Sequence, residues 1–97
     1  MNSGARRIIG VIVGIVEAVL LIRLILKLLG ANPGNVIVNG VYMITQPFVG
    51  IFEGIFAQIP IPSINAAAVF EPATLIAMLV VALIGWVLQK IFSSNNR

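Results

Sequence analysis

Three glutamates, Glu17, Glu53 and Glu71, are the whole acid inventory of this 97-residue chain, and it has no Cys, His or Asp. That removes thiolate nucleophiles, imidazole bases and nearly every usual transition-metal ligand set. An isolated carboxylate without such a neighbour forms no acid–base pair, so no catalytic, cofactor-binding or metal-binding residue is assigned and a non-enzymatic role is expected. Glu17 stands out because it is the one acid inside the apolar run Ile8 to Leu29. At 1.5 Å per residue it lies about 13 Å in from Ile8, near the midplane of a ~30 Å hydrocarbon layer. An ionisable group there costs at least ~2.5 kcal/mol if it faces lipid. It should therefore face protein, a partner subunit or trapped water. One reading makes it a neutral carboxyl bonded to Thr45, Gln46 or a backbone carbonyl; the other makes it a contact for an ion, a proton or a polar ligand. Arg23 is about 120° away around the helix, which excludes an ordinary salt bridge within that helix.

Arg23 and Lys27 are four residues apart, so their like charges share a face and call for something anionic beside them. Lipid phosphate is the general partner, reached if both side chains snorkel to the outer headgroups. Glu53 and Glu71 are the more specific one.

The elements that must position these groups are those of a membrane protein. Only 9% of residues are charged and 60% are hydrophobic, with a mean hydropathy of +1.12; soluble domains carry roughly a quarter charged residues. The net charge is +3, yet no basic patch with interleaved aromatics accompanies it, so no nucleic-acid partner is expected. The first apolar run, about residues 8–29, is stopped by Gly30-Ala31-Asn32-Pro33. The second, about residues 73–92, is opened by Glu71-Pro72, with proline suited to the first turn and the carboxylate to the positive end of the helix dipole. Each is about 20 residues, long enough to span. Glu17, Arg23 and Lys27 interrupt the first run, and no small-residue cleavage site follows it, so an uncleaved helix is expected. Arg6, Arg7, Lys90 and Arg97 flank the terminal ends of the runs and Glu53 and Glu71 lie between them, which predicts cytoplasmic termini on a multi-pass plasma (inner) membrane protein.

The connection is too apolar for a solvated loop. Its 36–59 stretch reads as a short helix ended or kinked by Pro47, then an amphipathic segment with Phe48, Phe52 and Phe56 on one face and Gly50, Glu53 and Gly54 elsewhere, lying on the membrane or dipping into it. Pro60-Ile61-Pro62 forces an extended stretch. In the first helix Gly10, Gly14 and Ala18 form a small-residue stripe, and Ala77 and Gly85 offer a matching groove on the second; they serve packing within the hairpin or between copies. Glu17 is about 20° from Gly10 and so shares the packed side.

Three stretches together resemble the YggT family of small integral membrane proteins: Leu20-Leu21-Ile22-Arg23-Leu24, Gly30-Ala31-Asn32-Pro33 and Tyr42-Met43-Ile44-Thr45-Gln46-Pro47-Phe48. Arg23 and the Tyr-x-x-Thr-x-Pro-Phe segment are its specific parts, and it covers essentially the whole chain, residues 1–97, as a single copy. Gly50 and Glu53 stand where relatives often have a second proline and a basic residue, and Glu71 where an Asp often precedes the second helix. The resemblance implies a two-span module linked to envelope and division-site organisation or osmotic tolerance, with no agreed molecular activity. The expected architecture is thus an all-α membrane protein, an antiparallel hairpin of two transmembrane helices with a long amphipathic connection. The expected role is a non-enzymatic module that self-associates or organises other envelope proteins, in contact with the bilayer and its headgroups. The competing reading is an oligomeric channel or transport component that uses Glu17.

Overall fold

A computed structural model describes residues 3–93. Helix α1 spans Ser3–Leu29, α2 Val36–Glu53 and α3 Pro72–Ser93; two short strands, β1 Ile59–Pro60 and β2 Val69–Phe70, lie between α2 and α3. All three helices are long and apolar enough to cross a membrane, one more than the sequence pattern indicates. The tail from Ser94 to Arg97, including the basic residue expected beside the membrane, lies outside the described residues.

Helix α1 begins five residues before the expected start and stops where expected. Gly30 takes φ +68°, the left-handed conformation that closes a helix. Its N–H donates to the Lys27 carbonyl (3.1 Å) while Ala31 N–H donates to Leu26 (2.9 Å), the paired bonds of a Schellman stop. The Leu29 carbonyl, left over at that end, accepts from Asn65 Nδ2 at 2.7 Å. A Cβ on Gly30 would collide with the Asn65 side chain and with Ala68 N, so this turn also fixes where the β-hairpin sits. At the other end of the chain α3 starts at Pro72, with Thr74 N–H donating to the Glu71 carbonyl (3.1 Å).

The connection departs from expectation. Asn35 caps α2 by accepting from Ile37 N (2.9 Å) and Val38 N (3.3 Å), and the helix then runs unbroken through Pro47 to Glu53. Proline removes the N–H that would serve the Met43 carbonyl. Two carbonyls in the turn before it gain side-chain donors, Thr45 Oγ1 to Val41 O (2.7 Å) and Arg23 Nη1 to Tyr42 O (3.1 Å). The extended stretch at Pro60 pairs antiparallel, Ile59 with Phe70 and Pro60 with Val69, a hairpin that the all-α expectation omitted.

Helices α1 and α3 pack antiparallel along their length. Near the termini Gln89 Nε2 donates to the Arg6 carbonyl (3.0 Å), Val13 fills the space over Gly85 midway, and Arg23 meets Glu71 at the far end. Helix α2 lies against both. Leu20, Val49, Ala73 and Ala77 form the buried centre, with Val16, Phe52, Met78 and Val81 packed on it. The outer surfaces are apolar: Ile12, Ile51 and Leu79 are 56%, 71% and 66% exposed, while Arg23, Thr45, Glu71 and Thr74 are buried. Apolar outside with polar inside suits a hydrocarbon solvent, in which burying leucine gains little and burying an unpaired polar group costs much.

Two expectations about faces are corrected here. The aromatic face of the connection is not a separate interfacial surface: Phe52 is half-buried in the centre, Phe48 is partly exposed, Phe56 lies beyond the helix, and Glu53, placed off that face, turns inward. Of the small residues, Ala77 and Gly85 are buried and Gly10 approaches Gln89, whereas Gly14 and Ala18 are exposed and Gly14 has no neighbour within 4 Å. Helix crossing on α1 uses Val13 over glycine instead of a full glycine stripe.

This gives a paired prediction. Gly85→Leu places a Cβ 2.6 Å from Val13 Cγ2 and should destabilise the folded monomer by about 1–3 kcal/mol. Gly14→Leu should change monomer stability by less than about 0.5 kcal/mol. Unfolding by denaturing detergent, read by circular dichroism, compares the two; equal effects would show that the crossing is not at Gly85.

Candidate functional site

Helix α1 carries Arg23 two turns below its Gly30 stop, on the stripe that faces both α2 and α3, and the side chain is 1% exposed. An arginine stays protonated in any such environment, so burying it requires acceptors for its whole fork. Glu71, placed by the start of α3, takes the fork bidentately, Nε to Oε1 at 2.8 Å and Nη2 to Oε2 at 3.0 Å. Glu53, at the last turn of α2, accepts from Nη2 at 3.0 Å. Nη1 donates to the Tyr42 carbonyl (3.1 Å), Thr45 Oγ1 (3.0 Å) and Gln46 Oε1 (3.2 Å), all from the turn of α2 around Pro47.

The acceptors are themselves held. Thr74 Oγ1 donates to Glu71 Oε1, Gln58 Nε2 to Glu71 Oε2 (3.1 Å), and Gln46 Nε2 to Glu53 Oε1 (2.7 Å). The Tyr42 ring meets two cations of α1, with Lys27 Nζ 4.4 Å and Arg23 Cζ 5.5 Å from its centroid. Burial pushes the Glu71 carboxyl up, but hydrogen bonds from Arg23, Thr74 and Gln58 and the charge of Arg23 outweigh it and hold the group down at about 2. The cluster therefore contains a permanent cation and a carboxylate ionised at any physiological pH. Its geometry ties α1, α2 and the start of α3 to one another.

No protein-family model, curated protein or solved structure matches this chain.

Most of the polar residues singled out from the sequence converge on this cluster: Arg23, Tyr42, Thr45, Gln46, Glu53 and Glu71 share one network, and Lys27 reaches its edge through the Tyr42 ring. Two expectations change. Arg23 does not snorkel to headgroup phosphate, because two carboxylates lie within reach inside the fold. Thr45 and Gln46, offered as partners for Glu17, serve Arg23; Glu17 sits half-buried on α1 with Oε1 unpaired among the described residues. Gln58 and Thr74 were not anticipated. Thr74 carries a weak signal, a hydroxyl three residues after an acid at a helix start; Gln58 carries none, since only the hairpin's return brings it to Glu71.

Because the Glu71 carboxyl falls from 4.5 to about 2 on folding, its contribution to stability is complete above pH 4.5 and disappears as the pH falls through about 2. Wild-type protein in detergent should lose stability across that window, and Glu71→Gln should start lower and show a flatter profile. Parallel profiles for the two proteins would remove Glu71 as the acid-sensitive group. Arg23→Lys should also be costly, because an ammonium cannot bridge acceptors spread over the planar fork.

Proposed function

We propose that the chain is a YggT-like, non-enzymatic module of the plasma (inner) membrane, in which α1 and α3 are the two spans and α2 enters and leaves the bilayer on the side away from the termini. The observation that carries this reading is the convergence on Arg23 of Glu53, the last residue of α2, and Glu71, the residue before α3. A full third span would deliver Glu53 to the end of α1 that bears Arg6, far from the start of α3. Helix α2 then dips among the spans with Thr45 and Glu53 turned inward and Ile44 and Ile51 turned outward to lipid. Arg6, Arg7 and Lys90 lie together at the opposite end, which supports cytoplasmic termini.

The dense polar network is consumed in holding the helices together, so what the protein offers to others is its apolar helix faces. That supports a role in self-association, with Gly14 and Ala18 the close-approach face on α1, or in organising other envelope proteins, in line with the division or osmotic roles of the resembled family. A channel reading retains one specific support, the unpaired Oε1 of Glu17 close to that face.

Single cysteines separate the topologies. Those at Ser3 and Ser94 should be labelled from the cytoplasm and one at Ser63 from outside, while Ile55→Cys, just past α2, should resist labelling from the cytoplasm. Cytoplasmic labelling of Ile55→Cys would make α2 a third span and overturn the reading. In the same membranes Gly14→Cys should cross-link copies, and reconstituted vesicles should show no ion flux sensitive to Glu17→Gln; such flux would move the function to the channel.

A further inference from the structure

A wholly apolar groove of about 390 Å3 lies between α1, α3 and the far half of α2. Its α1 wall is Ile9 to Val16, its α3 wall runs from Ala77 to Leu88, and Pro47, Phe48, Ile51 and Phe52 of α2 roof it. We infer that this groove holds one acyl chain of an anionic glycerophospholipid whose headgroup is bound at Arg6. The inference rests on the two-span reading above, in which α2 stops short and leaves the cytoplasmic half of the α1–α3 pair uncovered.

Dimensions, charge and the alternative occupant all favour a lipid. From Val16 to Arg6 is ten residues of helix, about 15 Å, the depth of one leaflet of a ~30 Å hydrocarbon layer. A chain whose tip rests under Phe52 therefore has its phosphate at the level of Arg6. Arg6 is exposed and lies about 20° around the wheel from Val13, a groove residue, whereas Arg7 is turned about 120° from Val13. The Arg6 backbone is fixed by Gln89, and Lys90 over the Trp86 ring at 5.1 Å marks the same end of α3 as a headgroup-level band. A second copy docking through Gly14 and Ala18 would approach roughly half a turn away on α1, on the side opposite Ile9 and Val16, and leave the groove open. A cation at the mouth and a wall of aliphatic and phenylalanine side chains are what a two-part, headgroup-plus-chain ligand requires.

Native mass spectrometry of the full chain, taken into mild detergent from vesicles of equal parts phosphatidylglycerol and phosphatidylcholine, tests this directly. The expected result is one retained phosphatidylglycerol per chain. Arg6→Gln should lower that retention by roughly fivefold, with Arg7→Gln near wild type. Ile84→Trp, which fills the groove from an exposed position, should abolish retention of either lipid; Ile51→Trp is the second filling variant if the first does not fold. Loss of lipid in neither filling variant, equal retention of both lipids or equal effects of the two arginines would each overturn the assignment, as would a lipid-free dimer that persists in Gly14→Leu and is lost in Ile84→Trp, which would give the groove to a second copy. Cysteine labelling reads the topology independently, so an absent lipid with the expected labelling would sink this inference alone.

Discussion

A guanidinium that cannot lose its charge, buried at 1% exposure in a chain with so few polar side chains, dictates much of this molecule. Leaving such a cation unpaired in a low-dielectric interior costs more than a small domain's entire stability margin. Six hydrogen-bond contacts to five residues meet the requirement, and they come from three separate parts of the chain: the middle of α2, its last turn, and the start of α3. Each part is positioned by local rules, the Asn35 cap, the Pro47 turn and the Glu71-Pro72 start. The common acceptor set is what makes those local rules consistent with one tertiary arrangement.

The same constraint explains the inverted distribution of polarity. Thr45, Gln46 and Glu53 fall on one side of α2, so once they turn toward Arg23 the residues on the opposite side, Ile44 and Ile51 among them, must point out. In water that would expose a costly apolar surface; in hydrocarbon it costs little. The core needs only Leu20, Val49, Ala73 and Ala77, because close packing and a paired polar network replace the large hydrophobic centre of a soluble domain. An apolar groove persists between α1, α3 and the second half of α2.

Local signals are legible in the sequence, and of the long-range pairings it offers Glu53 and Glu71 beside Arg23 and Lys27 as one of two alternatives, which Arg23 takes up. Gly30 stops α1 and Pro72 starts α3 as their residue types require, and Arg23, the Tyr42-to-Phe48 segment, Glu53 and Glu71 were all recognisable as the polar positions that mattered. What faces what is hidden for a physical reason: in a chain this apolar, hydrophobic periodicity does not distinguish a face toward lipid from a face toward protein, so Phe48, Phe52 and Phe56 read as one surface although only Phe52 packs on the buried centre. The competition for Thr45 and Gln46 was equally invisible. A carboxylic acid such as Glu17 can shed its charge and an arginine cannot, so the arginine's demand prevails once both are within reach. The Tyr42 carbonyl on α2 takes a donor 19 residues away, Arg23 Nη1, and no local rule contains that bond. The two-residue strands are too short to leave a pattern.

A double-mutant cycle on Arg23 and Glu71 tests the central claim most directly. Arg23→Met and Glu71→Leu each leave a buried charge without its main partner and should destabilise the protein by about 3–5 kcal/mol. The double variant removes both charges together and should be more stable than either single variant, with a coupling of about 2 kcal/mol or more between the two sites in equilibrium unfolding. Additive effects, with coupling near zero, would contradict the account, because the two residues would then be stabilised by their separate surroundings and not by each other.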